Sequence, residues 1–345
     1  MESAIAKHLQ TERLIPVKTP AHYQPPFPAY TARFPAKLQG LVLAVIGIQH
    51  RDPSSVDGAR LTLESFLSSQ APPFSQWAAV VDGQGFYNLT LLAYWESLAA
   101  YDEWASGSGF LAWWTSTKPE ESGHGWFLEI FSPSMDRLET VFSDGQVPEG
   151  VAHLRESVSS PIKEHVYWGS MRDRMPAGQR DHLEGEAASL IPESSKSQRT
   201  RAKGKKNLAV IRSGQDWSDT LPEERKLYLA NMHPILTKGM DFLRDDGEEV
   251  GCHACRFMDV VDPASREANK DQTFGLAFFD DLASLEKWSK SHPTHLAIFG
   301  GFLKYAAELN NEISLRLFHE VFVLRPEQQF FEYINCHVGT GMLGK

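Results

Sequence analysis

LAYWESLAAYDEW at residues 92–104 and LAFFDDLASLEKW at residues 276–288 are two versions of one pattern. Leu, Ala, Leu, Ala and Trp stay in register between the two stretches. Two further matches follow the same order along the chain, LAVI at 43–46 with 208–211 and FLEIF at 127–131 with FHEVF at 318–322. Matched segments that recur in one order indicate two copies of a single structural unit. The chain is therefore predicted to be an internal duplication.

Each copy is predicted to have the element order βαββαβ, which is the ferredoxin-like unit. The prediction rests on hydrophobic periodicity and on the turn residues between apolar runs. In the first copy, placed at 39–148, strands are expected at 41–49, 76–82, 88–95 and 126–131, and helices at 57–69 and 97–114. In the second copy, placed at 207–345, strands are expected at 207–212, 250–261, 273–279 and 315–323, and helices at 221–244 and across 281–309. Two such sheets bury their free faces best against each other, which predicts an α+β barrel within one chain, flanked by helices.

The remaining segments lie outside the two copies. Residues 1–38 form an N-terminal extension, and residues 149–176 are expected to form a helix and an active-site loop. Polar residues dominate 177–206, where few apolar side chains are available to anchor the chain. This part is predicted to be a flexible linker.

Composition and charge exclude several classes of function. The 345 residues include 42% hydrophobic and 23% charged side chains, which is typical of a folded globular protein. Acidic residues outnumber basic ones by 44 to 34 for a net charge of −10, so binding to a nucleic-acid backbone is not expected. No stretch is long and apolar enough to cross a membrane, and the first residues lack a signal-peptide pattern. A cytoplasmic protein is expected.

The three cysteines indicate free thiols rather than a disulfide framework or a metal centre. CHAC at 252–255 is a C-x-x-C pattern, but the only other pairing of suitable type is Cys336 with His337. Zinc would need two more ligands at a suitable spacing, and the sequence gives little support for them. Thiols on or beside a strand are the favoured interpretation.

Histidines that occur in only one copy indicate where function lies, because a residue missing from the other copy is not required by the fold. ASGSGFLAWW at 105–114 has no histidine, whereas its counterpart SKSHPTHLAIF at 289–299 has two. Ser291 or His292 can cap a helix with Pro293 in its first turn. His295 then heads an apolar stripe with Phe299, Phe302 and Ala306. A core histidine bonded to a carbonyl is the alternative interpretation of His295.

Two more differences point to the same half of the chain. His319 stands where the first copy has Leu128, and Arg212 and Ser213 follow the second LAVI segment. Together with the small pair Gly300-Gly301, these residues predict a pocket in the second copy. A haem held by one helical histidine, with a second histidine across the ring, suits the pattern better than a hydrolytic triad. No aspartate is placed to orient a catalytic base.

Five motifs resemble those of the aldoxime dehydratases over nearly the whole chain. In order they are YQPPFP at 23–28, YWGSMRDR at 167–174, IRSGQDW at 211–217, SHPTHL at 291–296 and FEYINCHVGTGML at 331–343. The resemblance implies a haem-containing α+β barrel and a lyase that converts R-CH=N-OH to a nitrile and water. It also implies ferrous haem b as cofactor, a small-molecule aldoxime as substrate and a homodimer.

The resemblance assigns roles to five residues of this chain. His295 in SHPTH matches the axial ligand of the haem iron, and His319 in FHEV matches the distal catalytic histidine. Ser213 matches the residue that bonds the oxime hydroxyl, and Arg174 matches a catalytic-site arginine. Glu139 in DRLET matches the acidic partner that orients the distal pair.

Two other functions suit part of the pattern. A peroxidase-like haem enzyme would also use His295 and Arg174. A non-enzymatic haem carrier or sensor would need His295 alone and gives no reason for Ser213 and His319. The dehydratase is therefore the leading hypothesis.

Overall fold

A computed structural model describes residues 1–186 and 198–344 of the chain. The strands are β1 Ala32–Arg33, β2 Val42–His50, β3 Phe74–Val81, β4 Tyr87–Trp95, β5 Gly125–Phe131, β6 Leu138–Phe142, β7 Ser157–Val158, β8 Arg199–Ala202, β9 Leu208–Asp216, β10 Cys252–Val261, β11 Ala268–Phe279, β12 Arg316–Leu324 and β13 Gln329–Ile334. The α-helices are α1 Asp57–Ser69, α2 Leu98–Gly107, α3 Phe110–Ser116, α4 Ser170–Arg174, α5 Pro222–Leu227, α6 His233–Asp245, α7 Leu282–Ser291 and α8 Pro293–Glu308.

The two copies have the same strand order. In one long antiparallel sheet the order is β6-β12-β9-β11-β10-β3-β4-β2-β5-β13-β8. Within the first copy the sequence of neighbours is β3-β4-β2-β5, and within the second it is β10-β11-β9-β12. The fourth strand of each copy thus lies beside its first, and the third lies between first and second. The duplication predicted from the repeated motifs agrees with this equivalence.

The last strand of each copy pairs with the other copy. β6 belongs to the first copy in the chain but pairs with β12 of the second. β13 belongs to the second copy but pairs with β5 of the first, and β8 extends that edge. The copies also meet directly where Ala78 and Ala79 of β3 face β10. Each half of the sheet is therefore completed by strands from the other half of the chain.

The main core lies between the two halves of the sheet. It contains side chains from both copies, among them Leu43, Val45, Tyr94, Phe127, Phe274, Phe278 and Phe322. One ion pair inside this core joins the two copies, since Arg256 donates to both carboxylate oxygens of Glu129 at 2.6 and 2.7 Å. A pair that satisfies its hydrogen bonds avoids the large penalty of a lone buried charge. The face of the sheet that carries this core is thus filled by packed side chains.

The opposite face of the first copy is filled by aromatic and aliphatic side chains. Helices α1, α2 and α3 pack on β2, β4 and β5 through a cluster that includes Trp104, Phe110, Trp114, Ile48 and Leu128. The predicted helix at 97–114 is two helices, because Gly109 adopts a left-handed φ of +85° between them. Glycine takes that conformation without the penalty other residues meet.

The segment between the copies differs from the prediction. Its helical parts are short, a 3₁₀ turn at Gly150–Leu154 and α4. The interpretation of 177–206 as a flexible linker is wrong for its described parts. Leu183 is fully buried, Gln179 is hydrogen-bonded to the N-terminal segment and Arg199–Ala202 is a strand. Residues 187–197 of that linker lie outside the described residues.

The predicted helix at 221–244 is one continuous helical rod with a π-helical turn at Tyr228–Met232 between α5 and α6. Such turns occur often at functional sites, and Tyr228 and Met232 both face the large cavity described next.

Among the described residues, none of the helices has the length and apolar character needed to cross a membrane.

Candidate active site

A large cavity lies between the sheet and the helices of the second copy. Its volume is about 1520 Å³, above the roughly 300–1,000 Å³ of ordinary small-molecule pockets. The apolar part of its lining includes Met232, Leu236, Met240, Ile298, Phe299 and Phe302. The corresponding space of the first copy is the filled aromatic cluster around Trp104. The duplicated fold therefore has one packed half and one hollow half.

Ser213 and His319 enter this cavity from neighbouring strands. They lie directly opposite each other in the antiparallel pairing of β9 with β12, and both line the cavity. Successive side chains of a strand point to opposite faces, so the adjacent Arg212 and Glu320 face the closed core, where both are buried. The two residues that distinguish the second copy thus share one cavity wall.

Glu139 and Arg174 stand behind the His319 imidazole. Nε2 of His319 is 2.9 Å from Oε1 of Glu139 and 2.9 Å from Nη2 of Arg174. Arg174 also donates to Glu139 through Nε at 2.7 Å and Nη2 at 3.2 Å. Nε2 accepts from Arg174 when the ring is unprotonated and donates to Glu139 when it is protonated. The two charges can therefore hold the ring in both protonation states.

β6 provides Glu139 because that strand pairs with β12. Val141 lies opposite His319 in this pairing, and Glu139 is two residues away on the same face of the strand. The side chains of Glu139 and Arg174 are only 1% and 3% exposed. Burial opposes ionisation of Glu139, but Arg174 and His319 outweigh it and lower its pKa from 4.5 to about 2.

Acid titration is expected to reveal this lowered pKa. Because the folded-state pKa lies below the ordinary value, ionised Glu139 stabilises the fold above pH 4.5, and this contribution is lost as the pH falls toward about 2. Glu139→Gln should therefore be less stable than the parent at pH 7, with the difference narrowing below pH 4.5. Free energies of urea unfolding measured from pH 7 down to pH 3 test this.

The same titration has an internal reference. Burial raises the pKa of Asp82, but hydrogen bonds from His337 and Asn88 outweigh burial and lower this pKa to about 2. Asp82 is present in both the parent and Glu139→Gln, so its contribution cancels in the difference between their unfolding free energies. A difference that stays constant across the pH range would show that Glu139 is not the group responsible.

Arg174 is held by the loop that precedes it as well as by Glu139. Its Nη1 donates to the carbonyl oxygen of Glu164 at 2.7 Å. The next residue, His165, lines the cavity and is 5% exposed, and its Nε2 has no hydrogen-bond partner. Burial, and secondarily the Arg174 charge, lowers the pKa of His165 to about 4. This imidazole is therefore neutral at pH 7.

His295 reaches the cavity from the first turn of α8. Its ring is packed edge-to-face against Trp288 at 4.8 Å and against Trp168 at 6.3 Å between ring centroids. Burial lowers the pKa of His295 to about 4, against a smaller opposing effect of the Ser289 backbone. Its Nδ1 is buried and has no hydrogen-bond partner. The ring is fixed in orientation and neutral, which is the state that binds a metal.

His292, the other histidine of SHPTHL, has a different role. It is the N-cap of α8, and its Nδ1 lies 2.8 Å from the Thr294 hydroxyl. Its ring stacks on Phe242 at 4.0 Å between centroids. Pro293 occupies the first helical position, as predicted. His292 therefore starts the helix that presents His295.

The cavity suits a haem. It is apolar, larger than a small substrate needs, and has a neutral histidine with an unpartnered buried nitrogen on its helical wall. Polar groups able to act on a reactant, Ser213 and His319, enter from the sheet rather than from that helix. A single axial histidine with polar distal groups is a common arrangement in haem proteins.

Several cavity residues were not found by sequence reasoning. Trp168 lies inside the YWGSMRDR motif and His165 lies two residues before it, but neither has a counterpart in the first copy to draw attention to it. Trp288 corresponds to Trp104, so comparing the copies gives no signal for it. Their contribution depends on the shape of the cavity, which no spacing in the sequence encodes.

The cysteines agree with the thiol interpretation. Cys252 and Cys255 are buried on β10, Cys336 is half-buried, and among the described residues the three form no disulfide. Within the part of the chain that the structure describes, no cluster of three or more His, Cys, Asp or Glu side chains is arranged to hold a metal ion.

The fold and this cavity together define a haem-binding enzyme. The family model for haem-containing dehydratases matches residues 44–342, and the chain belongs to that family. It is 40% identical to the aliphatic aldoxime dehydratase of Pseudomonas chlororaphis, over 99% of this chain and 98% of the relative. It is 30% identical to the phenylacetaldoxime dehydratase of a Bacillus species (strain OxB-1), over 94% and 93% of the two chains.

A solved structure of an aldoxime dehydratase in complex with butyraldoxime has the same fold. It superposes with a TM-score of 0.92 at 37% identity and covers 99% of this chain and 96% of its own. The resemblance deduced from the five motifs is confirmed at the level of the family.

Proposed function

We propose that this enzyme uses ferrous haem b to dehydrate aldoximes to nitriles and water. The observation that carries the proposal is the placement of Ser213 and His319 in the same cavity as the neutral His295. His295 would hold the haem iron. Ser213, His319, Arg174 and Glu139 would act on the oxime.

The reaction breaks the N–O bond and removes the proton on carbon, with no net change in oxidation state. Hydroxide is a poor leaving group, so the departing oxygen must receive a proton as the bond breaks. Ferrous haem held by His295 would supply electron density that weakens the N–O bond. The residues of the chain must then supply a proton and later take one back.

His319 is proposed to make both proton transfers. Its imidazole would protonate the oxime hydroxyl, which leaves as water, and would then accept the proton from the carbon atom. Glu139 stabilises the protonated ring and Arg174 supports the unprotonated one, so each charge state has a partner already in place. Ser213, opposite His319 on β9, would bond the hydroxyl and align it for the transfer.

The substrate is proposed to be an aldoxime with an apolar, aliphatic R group. The side chains that line the cavity beyond the polar groups are largely apolar, which favours such a group over a charged one. The relatives named aliphatic aldoxime dehydratase support an alkyl chain, since the phenylacetaldoxime dehydratase is less similar.

We further propose that the two halves are ferredoxin-like repeats, at 39–148 and 207–345, that close into an α+β barrel. The extension 1–38 and the connection 149–206, with its active-site loop, would lie outside the repeats. The shared strand order and the core common to both halves support this.

A homodimer is proposed from exposed apolar side chains on and beside α8, including Leu296, Leu303 and Leu229. Three cysteines with no disulfide among the described residues fit a reducing compartment such as the cytoplasm.

The test of function is anaerobic turnover by the haem-loaded protein. Dithionite-reduced enzyme is expected to convert butyraldoxime to its nitrile, faster than it converts phenylacetaldoxime, while ferric enzyme does so much more slowly. Nitrile is quantified by gas chromatography. Free haem with serum albumin is the control for catalysis by the cofactor alone.

Two results would contradict the proposal. Rapid peroxide turnover with no nitrile would favour a peroxidase. Haem binding with neither activity would favour a carrier or sensor.

A further inference from the structure

The N-terminal segment 11–23, which we term the strap, is bound to the loop that carries Arg174. Its main contact is the carboxylate of Asp173, which is 2% exposed. Oδ2 of Asp173 accepts from the backbone nitrogens of Lys18 at 2.8 Å and Thr19 at 3.1 Å. The Tyr167 hydroxyl, 2.7 Å away, also donates to it. A buried carboxylate is thus satisfied largely by a segment distant in sequence.

Asp173 is the neighbour of Arg174 in the five-residue helix α4. A helix this short has no stability of its own and keeps its position only through tertiary contacts. The strap supplies one more at the same point, since Arg13 donates through Nη2 to the carbonyl oxygen of Asp173 at 3.0 Å. The backbone that sets the direction of Arg174 is therefore fixed from the strap side.

The loop that carries Arg174 is also hydrogen-bonded to the strap at its two ends, at Gln179 and at His165–Val166. The backbone nitrogen of Thr11 donates to the Gln179 side chain at 3.0 Å, and those of Leu14 and Ile15 donate to its carbonyl oxygen. At the other end, the Tyr23 hydroxyl lies 2.8 Å from the carbonyl oxygens of both His165 and Val166 and shares its one hydrogen between them.

Gly169 permits this close approach. It has a left-handed φ of +97°, and a Cβ at this position would lie 2.6 Å from Cγ of Lys18. Any other residue there would combine an unfavourable backbone conformation with a clash against the strap. The YWGSMRDR motif thus contains, besides Arg174, the residues that receive the strap.

We propose that Asp173 is a positioning residue that docks the strap and thereby fixes Arg174 against His319 and Glu139. The inference deepens the proposed function and rests on it. Asp173 lies on the strap side of α4 and acts only through its neighbour. The strap also lines the cavity at Lys18 and Pro20, so its docking closes one side of the site.

Asp173→Asn keeps the shape of the side chain and removes its charge. Displacing a catalytic group by about 1 Å can cost on the order of 100-fold, and Asp173→Asn is expected to lower kcat by about 10- to 100-fold. The haem Soret absorbance per protein and the KM should change little. Tyr167→Phe, which removes one donor, should show a smaller change in the same direction and keeps the test valid if the first variant folds poorly.

A double-mutant cycle separates positioning from a general loss of structure. If Asp173 acts through Arg174, Asp173→Asn should not reduce further the residual activity of Arg174→Ala. An equal fold-change in both backgrounds would overturn the proposal, and so would an unchanged kcat of Asp173→Asn alone.

Limited trypsin digestion provides a readout that does not depend on activity. Releasing the strap should speed cleavage after Arg13 and Lys18 by about tenfold, because charge-assisted hydrogen bonds that hold it closed are lost. The matched control is Glu332→Gln, another buried carboxylate, which accepts from Trp114, Arg199 and Arg201 in the first half. Trypsin should cleave the strap of Glu332→Gln at the same rate as that of the parent.

The two hypotheses can fail separately. Unchanged cleavage of Asp173→Asn would show that the strap is not docked by this residue. If the parent makes no nitrile, the proposed function fails, while the digestion still tests the docking of the strap.

Discussion

His295→Ala is expected to be purified without haem and to form no nitrile. Within the described cavity, this imidazole is the histidine on the helical wall, whereas His319 on the sheet side is held by Glu139 and Arg174. Removing it takes away the proposed bond between protein and iron and leaves a space between Trp288 and Trp168. The Soret absorbance and a pyridine haemochrome assay measure the loss. Added imidazole should restore part of both colour and activity, because a free ligand can occupy that space.

His292→Ala is the matched control for this experiment. It lies three residues away on the same helix, and it caps the helix rather than facing the cavity. Loss of an N-cap costs about 1 kcal/mol, so this variant should keep its haem and melt at a slightly lower temperature. If His295→Ala kept a full complement of haem with an unchanged spectrum, the assignment of the axial ligand would be wrong.

His319→Ala is expected to keep its haem and lose catalysis. A positioned acid or base contributes about 10²–10⁴-fold, and His319 is proposed to act in both proton transfers, so the effect should lie toward the upper end. A group that acts mainly in the transition state lowers kcat and kcat/KM together. Anaerobic nitrile formation at several butyraldoxime concentrations separates the two constants.

His253→Ala controls for the loss of a buried histidine in the same half. His253 is paired with Asp280 at 2.8 Å on β10 and does not line the cavity. Its activity should stay within about twofold of the parent, whatever its stability. A His319→Ala enzyme with near-parental kcat would leave Ser213 and Arg174 as the candidates for proton transfer.

Comparison of the two copies predicted the half of the chain in which the candidate cavity lies. Leu128 of the first copy and His319 of the second lie on the same face of equivalent strands. That face is packed in the first half and borders the cavity in the second. The main strands and helices follow from the repeat because each has a counterpart whose apolar pattern supports it. His295 was distinguished from His292 by helix phase, and the cap geometry of His292 agrees with that choice.

β6, β8 and β13 were not predicted, although β6 and β13 follow FLEIF and FHEVF at the same distance. β6, β8 and β13 are four to six residues long, too short for a periodicity to identify, and each pairs with a distant part of the chain. Glu139 lies on β6, so only the family resemblance pointed to it. The ties of the strap to Asp173 use backbone nitrogens, which have no signature in the sequence.

The pairing of β6 with β12 has a consequence for how the protein is made. Glu139 is synthesised long before His319, and the two meet only when residues 316–324 have been translated and folded onto β6. Until then the ribosome-bound chain contains the carboxylate of Glu139 but not the imidazole of His319. The cavity also lacks the part of its wall that β12 forms. On the proposed roles, the catalytic pair would therefore be complete only after residues 316–324 have folded onto β6.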